Sequence, residues 1–306
     1  SRTLAIRWPT STPFFSVASS TVFILDGGNF TPIRKGRIDD GTGGAVLSTA
    51  YKVFVQGDYA YVAASAGLEI LNISDPANPV HAGLLRNGVD GAVLVSPASV
   101  YVAGNYAYVG GTGALEIVDV SNPAKPVHKG KIANGDGGAA LAYVSSVFVS
   151  GNYAYMTDTT GDAFEIVNIS NPANPVHAAK IVDDSGVVGG SGNLSQVSAV
   201  YVQGKYAYVV SGNNHALSIF DVSNPNSPYL TGEITNGTGG AALGAPTDVF
   251  VRGNYAYISL GSSGNGFEIV DVSHPSYPVH KGKLLNGQSG AYLSEARSVF
   301  VSGNYA

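Results

Sequence analysis

Four of the six histidines, His81, His128, His177 and His280, occupy one position of a recurring pattern, and four glutamates, Glu69, Glu116, Glu165 and Glu268, occupy another. Imidazole and carboxylate are the usual means of general acid–base catalysis and of metal binding. Ligands of one zinc ion must converge to about 2.1 Å, which side chains on separate outer strands do not do. The histidines therefore read as a solvent-facing structural position, held by Arg34 and Leu230 in the other two copies. The glutamates read as structural by the same logic, because catalysis requires a unique, asymmetric cluster. Asp119, Asp221 and Asp271 share a third position with Asn72 and Asn168. Asp and Asn are interchangeable in turn hydrogen bonds but not in proton transfer. Asp158, Asp162, Asp248 and Glu295 break the symmetry singly, and His215 and His274 sit in turns. None forms a Ser-His-Asp constellation, and the chain has no Cys to act as nucleophile or thiolate ligand.

The remaining candidates lie in Gly-rich loops, of which Asp40-Gly41-Thr42-Gly43-Gly44, Asn134-Gly135-Asp136-Gly137-Gly138 and Asn236-Gly237-Thr238-Gly239-Gly240 are the clearest. No Lys-Ser/Thr and no helix follows them, so phosphate-loop and dinucleotide readings fail on context. Asp39, Asp40, Asn134, Asp136, Asp183, Asp184 and Asn236 are the loop-face candidates. Their oxygens suit Ca²⁺, which takes 6–8 such ligands, but no calcium-loop spacing is present, and turn formation accounts for them. No cofactor is expected. Five Asn-x-Ser/Thr sequons, at Asn29, Asn72, Asn168, Asn193 and Asn236, are candidate glycosylation sites on an external protein.

The scaffold behind these positions is repetitive. Gly-x-Tyr-Ala-Tyr begins at Gly57, Gly104, Gly151, Gly204 and Gly253, and a sixth copy starts at Gly303, giving spacings of 47, 47, 53, 49 and 50 residues. A second block, typified by Leu115-Glu116-Ile117-Val118-Asp119-Val120-Ser121-Asn122-Pro123 and Pro126-Val127-His128-Lys129-Gly130-Lys131-Ile132, alternates with it. Val53–Gln56 and Tyr59–Val62 flank Gly57-Asp58, a two-residue loop suited to a type II′ hairpin, in which only the first position needs a positive φ. Phe54, Gln56, Tyr59 and Tyr61 then share a bulky face, and Val53, Val55, Ala60 and Val62 a small one. Both faces are largely apolar, so each small sheet must be covered twice. Paired prolines at 76/79, 123/126, 172/175, 225/228 and 275/278 mark a corner between a third and a fourth strand. Four strands in about 50 residues, six times over, is the arithmetic of a β-propeller rather than a β-solenoid.

These blocks, with Ser-Val-Phe-Val-x-Gly-Asn-Tyr-Ala-Tyr, resemble the LVIVD-repeat proteins over residues 21–306; residues 1–20 match poorly. The resemblance implies an all-β, six-bladed propeller of four-stranded antiparallel blades in one domain, on or outside a bacterial or archaeal cell. Because the pattern opens with a second half at Val22–Ile38 and ends with a first half at Ser298–Ala306, a composite N/C-terminal blade is expected to close it. The same edges could instead build a head-to-tail fibre by strand exchange.

Composition bounds the function. Of 306 residues 40 are Gly and 18 Tyr, only 12% are charged, and the net charge is −5. That leaves no basic footprint for nucleic acid, and no stretch reads as a membrane span. The chain opens at Ser1 with Met156 its only methionine, as a processed product would. The reading is a non-enzymatic, secreted or cell-surface scaffold for adhesion, binding or assembly, with protein or glycan partners or self-association. The alternatives are a fibre-forming subunit and a propeller hydrolase or lactonase with a central metal.

Overall fold

The computed structural model describes residues 3–6, 13–18, 21–26, 33–183, 193–302 and 305–306, with side-chain surroundings from residue 36 onward. Two compact units divide the chain, Ser1–Asp136 with Ile169–Val176 and Gly137–Asn168 with His177–Ala306. The described residues form four-stranded antiparallel sheets in strict sequence order, with a single-turn 3-10 segment after the first, second, third, fifth and sixth. The first sheet holds β1 (Thr3–Ile6), β2 (Pro13–Ala18), β3 (Thr21–Asp26) and β4 (Ile33–Asp39); the second holds β5 (Lys52–Gln56), β6 (Tyr59–Ala64), β7 (Gly67–Asn72) and β8 (Val80–Arg86). The third comprises β9 (Ser99–Ala103), β10 (Tyr106–Gly111), β11 (Ala114–Asp119) and β12 (Val127–Ala133), and the fourth β13 (Val144–Ser150), β14 (Tyr153–Asp158), β15 (Ala163–Asn168) and β16 (Val176–Val182). The fifth is β17 (Val197–Gln203), β18 (Tyr206–Ser211), β19 (Ala216–Asp221) and β20 (Tyr229–Thr235), and the sixth β21 (Pro246–Arg252), β22 (Tyr255–Leu260), β23 (Gly266–Asp271) and β24 (Val279–Leu285).

The local signals act as their chemistry dictates. Gly57, Gly104, Gly151, Gly204 and Gly253 take φ values of 57°, 58°, 57°, 61° and 58°, while the residues after them stay in the ordinary region. One positive φ at the first loop position is what the variable second residue requires. The hairpin register places Phe54 opposite Tyr61 and Gln56 opposite Tyr59. At the proline corners the leading Asx side chain closes a turn on the backbone, as Asp75 Oδ1 does on the Ala77 N–H at 2.9 Å.

A β-bulge lies between the third and fourth strands of most sheets, at Ile24/Leu25, Ile70/Leu71, Ile117/Val118, Ile219/Phe220 and Ile269/Val270. A one-residue shift moves a side chain to the other face of a sheet. Glu69 pairs with Leu84 but Leu71 pairs with His81, so the extra residue Ala82 brings His81 round to the face of Glu69.

The composite terminal blade does not form. β3 pairs with β2 along its whole length, from Pro13–Asp26 to Ala18–Thr21, and β2 pairs with β1. Thr3–Ile6 and Pro13–Ala18 lack the Gly-x-Tyr-Ala-Tyr signature but alternate well enough to satisfy the edge of β3 from the same end of the chain. Among the described residues, 298–306 contributes one isolated bridge, Ser302–Tyr305.

The bulky hairpin face builds the core. Tyr61, Tyr108, Tyr155 and Tyr208 are buried, whereas Tyr257, their counterpart in the sixth sheet, is half-buried. Burial beside Tyr206 pushes the Tyr208 hydroxyl up to about 12. Replacing Tyr208 by Ala is expected to cost about 3–5 kcal/mol, as for other large core aromatics, and Tyr257→Ala clearly less. Equal shifts of the two denaturation midpoints would refute this difference in packing.

Candidate functional site

The histidine and glutamate series, separate in the sequence, are one site. In the second sheet His81 Nδ1 lies 2.6 Å from Glu69 Oε1, and the backbone N–H of Val46, in the Gly-rich loop entering that sheet, donates to Oε2 at 3.2 Å. The arrangement recurs as His128–Glu116 with the Val93 N–H at 2.9 Å, as His177–Glu165 (2.5 Å) with the Ala140 N–H at 3.0 Å, and as His280–Glu268 with the Ala242 N–H at 3.0 Å. With the glutamate ionised, both of its oxygens accept, one from the backbone N–H and the other from the imidazole Nδ1–H. All four carboxyls are fully buried, and the histidines are between 20% and 28% exposed. The expectation of a solvent-facing histidine is therefore corrected: the bulge turns each ring inward, onto a carboxylate that ties the third strand, the fourth strand and the incoming loop together.

The fifth sheet reaches the same end with other residues. Ser218 and Leu230 stand where Glu and His stand elsewhere, and the carboxylate comes from the opposite strand. Glu233, paired with Ser218 across the ladder, accepts from Ser218 Oγ at 2.6 Å and from the Asn193 N–H at 3.0 Å. In the third, fourth and sixth sheets the position of Glu233 holds a lysine, and Lys131, Lys180 and Lys283 donate to the carbonyls of Gly91, Gly138 and Gly240. Every one of these interactions fastens a loop to its sheet.

The loop-face candidates also turn inward or bond locally. Asp40 Oδ1 accepts the Leu47 N–H at 2.7 Å, Asp183 Oδ1 the Leu194 N–H at 3.1 Å and Asn236 Oδ1 the Leu243 N–H at 2.8 Å. Asp136 accepts the Ala133 N–H at 2.9 Å, and Asp39 pairs with Arg37 on the surface at 2.7 Å. Asn134 borders the same kind of loop, with Asp136 two residues on; Asp184 lies outside the described residues. Among the described residues no three His, Asp or Glu side chains group as metal ligands.

The symmetry-breaking acids cap backbone amides. Asp158, almost fully buried, accepts from the N–H groups of Ala142 and Tyr143 at 2.8 Å and of Thr160 and Gly161 at 3.2 and 3.1 Å. Asp162, His215 and Asn265 prove to be equivalent. Each sits just before a third strand and accepts a backbone N–H from the next loop: Gln196 on Asp162 Oδ1, Ala245 on His215 Nδ1 at 2.9 Å, Glu295 on Asn265 Oδ1 at 3.1 Å. Asp248 Oδ2 receives Ser298 Oγ and the Val299 N–H. Glu295 pairs with Arg297 on the surface at 3.0 Å, and His274 opens a proline corner whose Tyr277 N–H returns to its carbonyl.

Of the sequons, Asn72 uses Oδ1 to accept both the N–H and the Oγ–H of Ser74, and Asn193 donates Nδ2 to Glu233. Asn168 ends β15, Asn236 is exposed, and Asn29 lies outside the described residues.

Electrostatics follow burial. Desolvation pushes the carboxyls of Glu69, Glu116, Glu165 and Glu268 above their ordinary value of 4.5, against the histidine and loop hydrogen bonds that pull them down. Burial likewise opposes ionisation of Asp221, yet hydrogen bonds from Ser223 and the Lys205 ammonium at 2.9 Å outweigh it and hold the carboxyl at about 2.

The LVIVD repeat is matched at residues 49–85, 96–134, 142–183, 195–236 and 243–285. The chain belongs to the LVIVD-repeat family. Each match covers one of the second to sixth sheets; the knot of Glu, His and loop amide accompanies four of these LVIVD repeats, and Glu233 with Ser218 takes its place in the one at 195–236. No curated protein sequence matches the chain. Solved structures resemble it in fold alone. A protein from Lactobacillus plantarum has a TM-score of 0.71 at 12% identity, over 90% of this chain and 83% of its own. The periplasmic gluconolactonase PpgL of Pseudomonas aeruginosa has 0.65 at 9% identity, over 93% and 96%. The computationally designed Ika8 protein has 0.64 at 9%, over 99% and 92%. The fold is of the repeat β-propeller kind.

Two outcomes test the knot. Glu116→Ser should cost about 1–3 kcal/mol by leaving the Val93 N–H and His128 unanswered. Adding His128→Leu and Lys131→Glu, which copies the fifth sheet, should restore most of it in urea melts; a triple variant no better than the single one would refute the equivalence. The second outcome concerns pH. A carboxyl whose folded pKa is raised contributes stability that is complete below the unfolded value and lost as pH rises through the folded one. The stability advantage of the wild type over Glu116→Gln should therefore shrink as pH rises above 4.5. A constant difference from pH 4 to 7 would contradict it.

Proposed function

We propose that the chain is a non-enzymatic, extracellular or cell-surface repeat scaffold, serving adhesion, binding or assembly, with each four-stranded sheet a blade and six blades in the chain. One observation carries this reading. The buried Glu–His pairs, Asp158, Asp162, Asp248 and His215 all hold backbone amides of the chain's own loops. A proton-transfer or ligand-binding group must instead face the substrate in a competent state. Membership of the LVIVD family, the low charge and the absence of Cys support an exported β-protein. Every outermost strand from the second sheet on also opens with an exposed apolar side chain, Val80, Val127, Val176, Tyr229 or Val279. Repeated surface of this kind suits protein or glycan partners. Among the described residues no helix is long and apolar enough to cross a membrane. The fibre alternative loses its N-terminal half-blade, since β3 is already paired, and the lactonase alternative is supported by a likeness of fold alone, at 9% to 15% identity.

The test has two arms. The tagged chain should be removed by protease from intact producing cells, and the pure chain should leave glucono-δ-lactone hydrolysing at its spontaneous rate. Retention inside protease-treated cells would overturn the location. Saturable turnover, abolished by replacing Asp158 or Asp248 in a folded variant, would overturn the non-enzymatic reading.

A further inference from the structure

The loop that leaves an outermost strand is built on one dipeptide. Asn-Gly opens it at 87–88, 134–135, 236–237 and 286–287, and Asp40-Gly41 opens the first. In Asn-Gly the asparagine side chain is open to attack by the backbone, because glycine has no Cβ to shield the nitrogen that follows. In the loops after the second and fifth sheets both reacting groups are held. The Gly88 N–H donates to the Ala92 carbonyl at 2.9 Å, and the Gly237 N–H to that of Ala241 at 2.9 Å. Asn87 Oδ1 accepts the Leu94 N–H at 2.9 Å, and Asn236 Oδ1 the Leu243 N–H at 2.8 Å.

Each of these asparagines shares its stretch of loop with the knot. The Val93 N–H, just before that of Leu94, is the one held by Glu116, and the Ala242 N–H, just before that of Leu243, is held by Glu268. Successive amides therefore fasten the loop, the first to a buried carboxylate and the second to the asparagine. Leu94 and Leu243 are buried, so turning the asparagine away leaves a buried N–H without its acceptor. Asn87 and Asn236 are themselves exposed, and water reaches them. The first loop holds an acid in the same frame. Asp40 Oδ1 accepts the Leu47 N–H at 2.7 Å, and the Gly41 N–H donates to the Ala45 carbonyl at 2.8 Å. Gly41, Gly88 and Gly237 take φ values of 84°, 84° and 87°.

We propose that Asn87 and Asn236 are sites of spontaneous deamidation, each gated by the buried glutamate beside it: closed while Glu116 or Glu268 holds its loop, and reactive once that loop lets go. The Gly88 nitrogen then bonds to Asn87 Cγ, the Cγ–Nδ2 bond breaks, and the glycine proton leaves with the amide nitrogen as ammonia. Water opens the resulting succinimide at either carbonyl, to aspartate or to isoaspartate, and neither oxidant nor cofactor takes part. Gly237 and Asn236 react in the same way. Aspartate fits the loop as Asp40 does, whereas isoaspartate lengthens the backbone by a methylene and does not. Local opening needs less free energy than global unfolding, so the gate works in the folded chain. Each opening that reacts leaves a lasting negative charge, at Asn87 in a loop that already carries Asp90.

The test follows the full chain in mildly alkaline buffer by mass spectrometry of its peptides, with the urea-unfolded chain as reference. In the folded wild type both asparagines should react far more slowly than in urea. Glu116→Ser should speed Asn87 about tenfold and leave Asn236 at its wild-type rate, and Glu268→Ser should do the reverse. Adding His128→Leu and Lys131→Glu to Glu116→Ser should slow Asn87 again. Val93→Pro removes the same hydrogen bond from the loop side, where Ala92 at φ −61° and ψ 139° is suited to precede proline. It should act as Glu116→Ser does, and it supplies the comparison if Glu116→Ser unfolds. Reaction of the folded wild type at the urea rate would overturn the proposal. So would folded single variants that speed both asparagines equally, or neither.

Discussion

The constraint on which everything else rests is that a four-stranded sheet with apolar side chains on both faces cannot stand alone in water. The hairpin register sorts bulky residues such as Phe54 and Tyr61 to one face and small ones such as Val55 and Ala60 to the other. Large against small is how successive sheets reach native packing density. The close approach of proline carbonyls to Gly36, Gly83, Gly130 and Gly232 follows from the same demand. Two sheets can approach this far only where the outermost strand carries no side chain on the facing side.

A sheet packed on both sides leaves its connecting loops to find partners for buried backbone N–H groups, since an unpaired one costs about as much as a lost hydrogen bond. The buried glutamates answer this. A carboxylate offers two oxygens and accepts from two directions, so Glu116 can hold the Val93 amide and the His128 imidazole at once. Burying the charge is expensive, and the upward displacement of all four carboxyls expresses that cost. The histidine is the compensating group, present because the carboxylate would otherwise lie under the loop with one partner.

How much of this the sequence displays depends on the range of each interaction. The hairpins are legible because one Gly with positive φ and alternating residues specify them locally, and the Asx turns because Asp and Asn exchange freely there. The Glu–His pairing is not legible, although both series are plain as repeats. The two residues lie twelve positions apart, and simple alternation would put His81 on the face opposite Glu69. Only the bulge at Ile70/Leu71 reverses it, and a bulge has no signature beyond the neighbouring Gly83. Asp162, His215 and Asn265 escape for a related reason. Three different residue types fill one backbone-capping position, so each looks singular until the turn geometry aligns them. The N-terminal strands were hidden because Thr3–Ile6 and Pro13–Ala18 carry no motif, and what fixes them is the edge of β3 that they satisfy.

The fifth sheet shows what kind of requirement these positions obey. If the Glu–His pair existed to move protons or hold an ion, its geometry would be fixed by the reacting atoms, and shifting the carboxylate to another strand would destroy it. Glu233 makes that shift, with Ser218 and Leu230 in the vacated places, and the loop amide of Asn193 is met just as Val93 is met by Glu116. A requirement satisfied equally from either of two strands is a requirement for an acceptor near a backbone N–H, and nothing finer. The same tolerance lets a histidine nitrogen at 215 stand in for a carboxylate at 162. Side chains chosen this loosely build a series of near-identical units, and what distinguishes one unit from the next lies where the repetition breaks, on the exposed faces and at the variable loop tips.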